Sequence, residues 1–110
     1  MFDFWTDWRP FPDPRLGQLL VAPFGPGLFE LRLAGDGGYV LFGIAQSVAS
    51  RMTTLIPHEI KPEKRSTSSK RRYLTAALGR LEYRTMSCRT RADAEHAALA
   101  LNACIYRFRA

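Results

Sequence analysis

The sequence contains little cysteine and no long uninterrupted apolar run. Cys88 and Cys104 are the only two cysteines in 110 residues, which is too few for the disulfide framework of a small secreted domain. The most apolar stretch, residues 19–33, is broken by prolines, glycines and Glu30, and it therefore lacks the ~20 consecutive apolar residues of a membrane span. No cationic segment precedes an apolar one at the start of the chain, as in a secretory signal. These absences predict a cytoplasmic protein that does not enter a membrane, with both thiols reduced.

Three further kinds of site have no pattern in this sequence. The cysteines and the two histidines, His58 and His96, lack the close paired spacing of zinc ligands. The glycine-rich run 35–38 lies between two predicted strands and precedes no helix, unlike a nucleotide-binding loop. No arrangement of serine, histidine and aspartate indicates a nucleophilic triad. A zinc cage, a nucleotide loop and a serine hydrolase site are therefore not expected.

Positive charge is abundant by contrast. The net charge is +6, and arginine supplies most of the cations. Arginine grips phosphate or carboxylate with two hydrogen bonds, whereas lysine acts as a point charge. One stretch of twelve residues, opposed only by Glu63, contains Lys61, Lys64, Arg65, Lys70, Arg71 and Arg72. This cluster predicts a patch that contacts nucleic-acid phosphates, and the alternative is an ordinary solvated loop and helix start.

The first 26 residues are rich in aromatic residues and proline. Because proline fixes the backbone angle φ and removes a hydrogen-bond donor, little regular structure is expected in this N-terminal arm. Trp5 and Trp8 are costly to leave in water, so residues 1–26 are predicted to fold back onto the domain formed by residues 27–110. The alternative is that Trp5 and Trp8 bind a protein partner.

The domain begins with the pattern of a β-hairpin. Apolar and polar residues alternate over 27–33, which predicts a strand, and the turn-forming residues 34–38 connect it to a second strand at 39–42. Helical spacing of apolar residues over 48–55, ended by Pro57, predicts the first helix.

A helix, a strand and a helix are predicted to follow. Serines at 66–69 cap a second helix, whose buried face lies within 73–81. Residues 82–87 are expected to form the third strand, and Thr90 begins a last helix whose inner face extends to Ile105. The order ββααβα predicts an α+β fold with a small, mostly antiparallel, three-stranded sheet flanked by helices.

Four short segments, in this order, are similar to the motifs of one nuclease family. Gly27-Leu28-Phe29 and Leu41-Phe42-Gly43 lie on the two hairpin strands, where the family has its two short motifs. Residues 43–51 are similar to the family's G-x-T-x-x-x-x-R continuation and end at Arg51. Residues 94–99 resemble the segment with the metal-binding glutamate, here Glu95. Residues 27 to about 102 therefore resemble a GIY-YIG nuclease domain.

The resemblance implies metal-assisted hydrolysis of DNA. Glu95 is the implied ligand of one Mg²⁺ or Mn²⁺ ion, and Arg51 is implied to neutralise charge on the phosphoryl oxygens in the transition state. The family's two motif tyrosines are replaced by Phe29 and Leu41. Leu41 has no proton to exchange, so the usual activator of water is missing.

Two other residues are candidates for the missing base. Tyr39 precedes Leu41 by two residues, so regular alternation predicts that both side chains lie on one strand face. His58 titrates near neutrality, which suits base chemistry. The alternative is that Tyr39 is an amphipathic strand residue and His58 a plain loop histidine. Hydrolysis also requires that Arg51 and Glu95 converge on one concave surface.

Three functions stay open from the sequence. The first is a divergent endonuclease that uses Arg51, Glu95, a divalent cation and a substitute base. The second is a domain that keeps the fold and the basic surface and binds nucleic acid without cutting it. The third is a protein-interaction module that uses the tryptophan-rich arm, with its arginines contacting acidic partners.

Overall fold

The computed structural model describes residues 5–35, 38–56, 69–101 and 105–108. The regular elements in chain order are the strands and helices β1 (Arg9–Pro10), β2 (Gly27–Leu33), β3 (Tyr39–Ala45), α1 (Val48–Thr53), α2 (Ser69–Ala76), β4 (Leu81–Ser87) and α3 (Arg91–Ala98). Two 3₁₀ turns, Pro14–Leu16 and Leu78–Arg80, precede β2 and β4. Within these ranges, no helix combines the length and apolar character that a membrane crossing requires.

The strands form one antiparallel sheet in the order β1-β4-β2-β3. The predicted α+β class is confirmed. The prediction of three strands is wrong, because the proline-rich arm supplies β1, whose Arg9 and Pro10 pair with Tyr83 and Glu82. Proline is compatible with this position since β1 lies at the edge of the sheet, where a missing N–H does not break a ladder between two neighbours.

One face of the sheet carries the main core. Phe29 and Leu31 of β2, Leu41 of β3 and Tyr83 of β4 point to this face and are almost completely buried. The residues that α1 and α2 bury against them are Val48, Met52 and Leu74. The hydroxyl of Ser47 caps α1 by accepting from the Ser50 amide. Both helices therefore cover the same side of the sheet.

The opposite face is covered at one end by α3. Leu28 and Met86 point to this face because strand side chains alternate, and they form a second apolar cluster with Ala94 of α3. The hydroxyl of Thr90 accepts from the Asp93 amide at 3.1 Å and so begins the helix, as the sequence predicts. The sheet consequently separates α1 and α2 from α3.

A bulge in β3 changes the direction of Tyr39. Leu41 pairs with Leu31, but Tyr39 pairs with the next residue, Arg32, so Val40 is an extra residue in the strand. Leu41 is buried in the main core, whereas Tyr39 contacts aromatic rings on the opposite face. The expectation that Tyr39 and Leu41 share a face is wrong, because the bulge interrupts the alternation.

Close packing accounts for the residues at the four motif positions. A Cβ atom at Gly43 would overlap the ring of Phe29, and one at Gly27 would overlap the backbone carbonyl oxygen of Met86. Phe29 and Leu41 are both fully buried in the main core. These positions hold the strands and α1 together.

The N-terminal arm packs along the outer edge of β4. The Thr6 amide donates to the Thr85 carbonyl at 2.8 Å, which extends the pairing that β1 makes. Phe11 is only 1% exposed, and its ring lies edge-on to Tyr83 with the centroids 6.1 Å apart. Part of the main core therefore comes from the arm.

Candidate nucleic-acid interface

The outer surface of α1 and α2 carries several cations. Arg51 is exposed on α1, and Arg72 is exposed on α2, next to Lys70 and Arg71. Both helices pack on the same face of the sheet through apolar side chains that point inward. Their cations consequently lie on the outside of one layer.

A hydrogen bond connects the two helices. Nη2 of Arg71 donates to the backbone carbonyl of Thr54 at 3.3 Å, just after the end of α1. The hydroxyl of Thr54 in turn donates to the carbonyl of Arg51 at 2.6 Å. Carbonyl groups at the end of a helix carry partial negative charge, which favours a cation there. The start of α2 is thus held beside the end of α1, and Arg51 and Arg71 belong to one surface.

A cation from the C-terminal segment joins this surface. The guanidinium of Arg107 lies 4.5 Å from the ring centroid of Tyr73 on α2, and the ring of Phe108 packs against the same tyrosine. The Phe108 amide donates to the Val40 carbonyl at 2.8 Å, which attaches this segment to β3. We refer to the following residues as the basic surface: Arg51, Lys70, Arg71, Arg72 and Arg107.

Acidic residues are absent from the two helices. Residues 46–56 and 69–81 contain no aspartate or glutamate. Arginine and lysine are charged at neutral pH, so the residues of these two helices carry positive charge only. Such a surface is suited to a polyanion.

Arg51 and Glu95 do not come together in the structure. Arg51 lies on α1, outside the main core, and Glu95 lies on α3, across the sheet. Glu95 is exposed, and its Oε1 accepts from Nε of Arg91 at 3.2 Å. Among the described residues, no group of three or more histidine, cysteine, aspartate or glutamate side chains could hold a metal ion. The surroundings of Glu95 do not fit the metal site that the resemblance implies, because Arg91 engages the carboxylate and Arg51 belongs to a helix on the opposite face of the sheet.

The remaining predicted site residues fall into two groups. Tyr39 is half-buried on the α3 side of the sheet, with its ring centroid 5.5 Å from that of Tyr106. Four further candidates lie outside the described residues: His58, Lys61, Lys64 and Arg65.

The sequence analysis missed a buried carboxylate on the α3 side of the sheet. Glu30 is 2% exposed, and its Oε1 accepts from Nε of Arg84 at 2.7 Å. Its Oε2 accepts from the Tyr106 hydroxyl. Burial, together with this hydrogen bond to Glu30, raises the pKa of Tyr106 above its usual value. A carboxylate with both oxygens bonded in this way is typical of a structural ion pair.

Trp5 and Trp8 extend this polar cluster. The guanidinium of Arg84 lies 4.4 Å from the ring centroid of Trp5 and 4.6 Å from that of Trp8. Arg32, which is ion-paired with Glu82 at 2.9 Å, lies 4.0 Å from the Trp8 centroid. Both indoles are half-buried. They pack on arginines of β2 and β4, which attaches the arm to the sheet.

Comparison with protein-family models, with curated proteins and with solved structures finds no match to this chain. Function is therefore inferred from the residues of the chain and their positions.

Proposed function

We propose that this domain binds nucleic acid, DNA in the first instance, by holding the phosphodiester backbone on the basic surface. The observation that carries the proposal is the hydrogen bond from Arg71 to the Thr54 carbonyl, because it joins the cations of α1 and α2 into one surface. A cytoplasmic location is part of the proposal, since DNA and RNA are accessible there.

The chemistry of the basic surface favours phosphate over other ligands. Four of its five cations are arginines, whose planar guanidinium matches two phosphate oxygens at once. Arg51, Arg72 and Arg107 are exposed and so can reach a ligand without unfolding of the core. Contacts of this kind read no base sequence, so binding is expected to be independent of sequence and strongly dependent on salt.

Binding without cleavage is preferred because of the positions of Arg51 and Glu95. Arg51 on α1 and Glu95 on α3 belong to helices on opposite faces of the sheet, which favours a phosphodiester held by Arg51 without Glu95. Hydrolysis by this pair would require both groups at the scissile phosphate.

Salt-dependent affinity tests the proposal. We expect the logarithm of the dissociation constant for a 30-base-pair duplex to rise linearly with the logarithm of NaCl concentration between 50 and 200 mM. The double variant Arg51→Gln/Arg72→Gln should bind more weakly at every salt concentration, and its slope should be smaller by about two, one for each lost phosphate contact.

A matched control distinguishes binding at the basic surface from a general effect of the protein's net charge. The variant Arg9→Gln/Arg89→Gln also removes two exposed cations, one on β1 and one before α3, away from the basic surface. It should retain the affinity and the slope of the unchanged protein. Equal losses in both double variants, or binding that is insensitive to salt, would count against the proposal.

A nicking assay decides between binding and hydrolysis. Supercoiled plasmid incubated with the protein and Mg²⁺ or Mn²⁺ should stay supercoiled. Metal-dependent nicking that disappears in both Glu95→Ala and Arg51→Ala would overturn binding without cleavage and restore the endonuclease hypothesis.

A further inference from the structure

Phe24 is an aromatic side chain held in an exposed position. It is 87% exposed, although most rings of this size are at least half-buried in a folded domain. Leu19 and Val21, in the same segment, are also exposed, at 83% and 53%. Contiguous exposed apolar side chains are a common feature of interaction sites.

Hydrogen bonds on both sides fix the backbone of Phe24. The carbonyl of Pro23 accepts from the Ala49 amide at 2.8 Å, and the carbonyl of Gly25 accepts from the Val48 amide at 3.1 Å. Both donors belong to the first turn of α1. The ring is therefore presented from a backbone that is attached to a helix, not from a loose loop.

The same helix places Phe24 near the basic surface. Arg51 belongs to the same six-residue helix, within one turn of Val48 and Ala49, whose amides bind the segment of Phe24. One short helix thus anchors an exposed aromatic residue at its beginning and carries an exposed arginine in its last turn. An aromatic platform beside cations is the combination that binds single-stranded nucleic acid, where bases stack on the ring and phosphates meet the cations.

We propose that the ligand is single-stranded nucleic acid and that an unpaired base stacks on Phe24. This inference rests on the proposed function, in which the basic surface binds the backbone. In a duplex the faces of the bases are already stacked on each other, so only an unpaired base can offer its face to the ring. Stacking tolerates every base, so a single strand should be preferred whatever its sequence.

Affinities for a 30-nucleotide oligothymidine and a 30-base-pair duplex, measured by fluorescence anisotropy at 100 mM NaCl, test the inference. The unchanged protein should bind the single strand more tightly. Phe24→Leu should weaken single-strand binding about 5- to 150-fold, the range expected for the loss of one stacked base. Its affinity for the duplex should not change. Phe24→Tyr keeps the ring and should keep the affinity.

Two controls make the outcome decisive. Leu99→Ala removes another exposed apolar side chain, 80% exposed, which follows α3 on the opposite side of the sheet, and it should leave both affinities unchanged. The melting temperature of Phe24→Leu should equal that of the unchanged protein, because the ring contributes little to the core.

Each alternative result has a distinct meaning. If Phe24→Leu binds oligothymidine as tightly as the unchanged protein, or if the duplex is bound more tightly, the stacking inference is overturned. A loss in Phe24→Tyr as large as in Phe24→Leu also overturns it, because an aromatic ring would then not be sufficient. In these cases the proposed function survives as long as Arg51→Gln/Arg72→Gln still weakens salt-dependent binding. Absence of salt-dependent binding to either oligonucleotide would instead overturn the proposed function.

Discussion

The hydrogen bond between Tyr106 and the buried carboxylate of Glu30 should make the stability of the protein depend on pH. Its hydroxyl donates to Glu30, and burial together with that bond raises its pKa. In the unfolded chain a tyrosine titrates at about pH 10. A group with a raised folded pKa contributes stability that is fully present below the unfolded pKa and is lost as the pH rises through the folded pKa.

The corresponding prediction concerns the variant Tyr106→Phe. The difference in free energy of unfolding between the unchanged protein and the variant should be constant from pH 7 to about 9 and should fall above pH 10, because Tyr106 then ionises in the unfolded chain while the folded protein keeps the proton between the hydroxyl and Glu30. Urea unfolding at several pH values measures this difference. Absorbance at 295 nm should show a late-titrating tyrosine signal that Tyr106→Phe removes. A difference that stays constant to pH 11.5 would contradict the prediction.

Gly43 is a second residue at which close packing determines the effect of a substitution on stability. Because a Cβ there would overlap the Phe29 ring inside the core, Gly43→Ala should lower the free energy of unfolding by about 1–3 kcal/mol. A Cβ atom added at Gly79 would have no neighbouring atom within 4 Å, and Gly79 does not have a positive φ. Gly79→Ala is therefore the matched control. Chemical denaturation should show a change within about 0.5 kcal/mol for the control. Equal effects in the two variants would mean that the contact with Phe29 is not the cause.

At the level of secondary-structure elements, contacts between the N-terminal arm and the sheet stabilise the fold. Trp8 packs against Arg32 and Arg84, and Phe11 lies in the main core. Replacement Trp8→Ala should therefore lower the free energy of unfolding by about 2–4 kcal/mol, less than for a fully buried tryptophan because the indole is half-buried. Trp8→Phe keeps an aromatic face for the arginines and should cost about half as much.

Thermal and urea unfolding measure the effect of these tryptophan substitutions. A loss of amide-exchange protection at Thr6, which is bonded to Thr85, should accompany Trp8→Ala if the arm detaches from β4. An unchanged stability in Trp8→Ala would show that the packing of Trp8 on Arg32 and Arg84 contributes nothing to the stability of the fold.

Local patterns predicted most elements, because alternation, capping and helical spacing act over a few residues. Thr90 is the cap of α3, and the strands near 27–33 and 82–87 are present. The end of the last helix was predicted wrongly: α3 stops at Ala98, and Ile105 is 48% exposed. The apolar spacing beyond Ala98 does not decide where the helix ends.

Long-range packing explains what the sequence did not reveal. Glu30 alternates with apolar residues, which indicates a solvent-facing side chain, yet Tyr106 and Arg84 enclose it. β1 forms because the edge of β4 is available, and the bulge at Val40 depends on pairing between strands. At the candidate site, Arg107 comes from a distant part of the chain and packs on Tyr73 of α2. No local sequence pattern indicates that the sheet lies between the helices that carry Arg51 and Glu95.

For the whole molecule, which carries a net charge of +6, the proposed binding of nucleic acid predicts a ligand-dependent stability. A ligand that binds only the folded protein stabilises it by about 2.7 kcal/mol at 100 times its dissociation constant. Oligothymidine at that concentration should raise the melting temperature at 50 mM NaCl and have no effect at 1 M NaCl, where phosphate contacts are screened. The variant Arg51→Gln/Arg72→Gln should show a smaller shift at the same oligonucleotide concentration. A shift that persists at 1 M NaCl would mean that a non-electrostatic contact dominates.

Tyr83 connects the interior of the domain to its surface. Its ring is buried in the main core, and its hydroxyl accepts from the Val21 amide at 2.9 Å and donates to the Val21 carbonyl at 3.3 Å. The segment that presents Phe24 is therefore anchored from below as well as from α1. If an unpaired base stacks on Phe24 as proposed, Tyr83→Phe should therefore weaken oligothymidine binding, although Tyr83 itself lies in the core and is out of reach of the ligand.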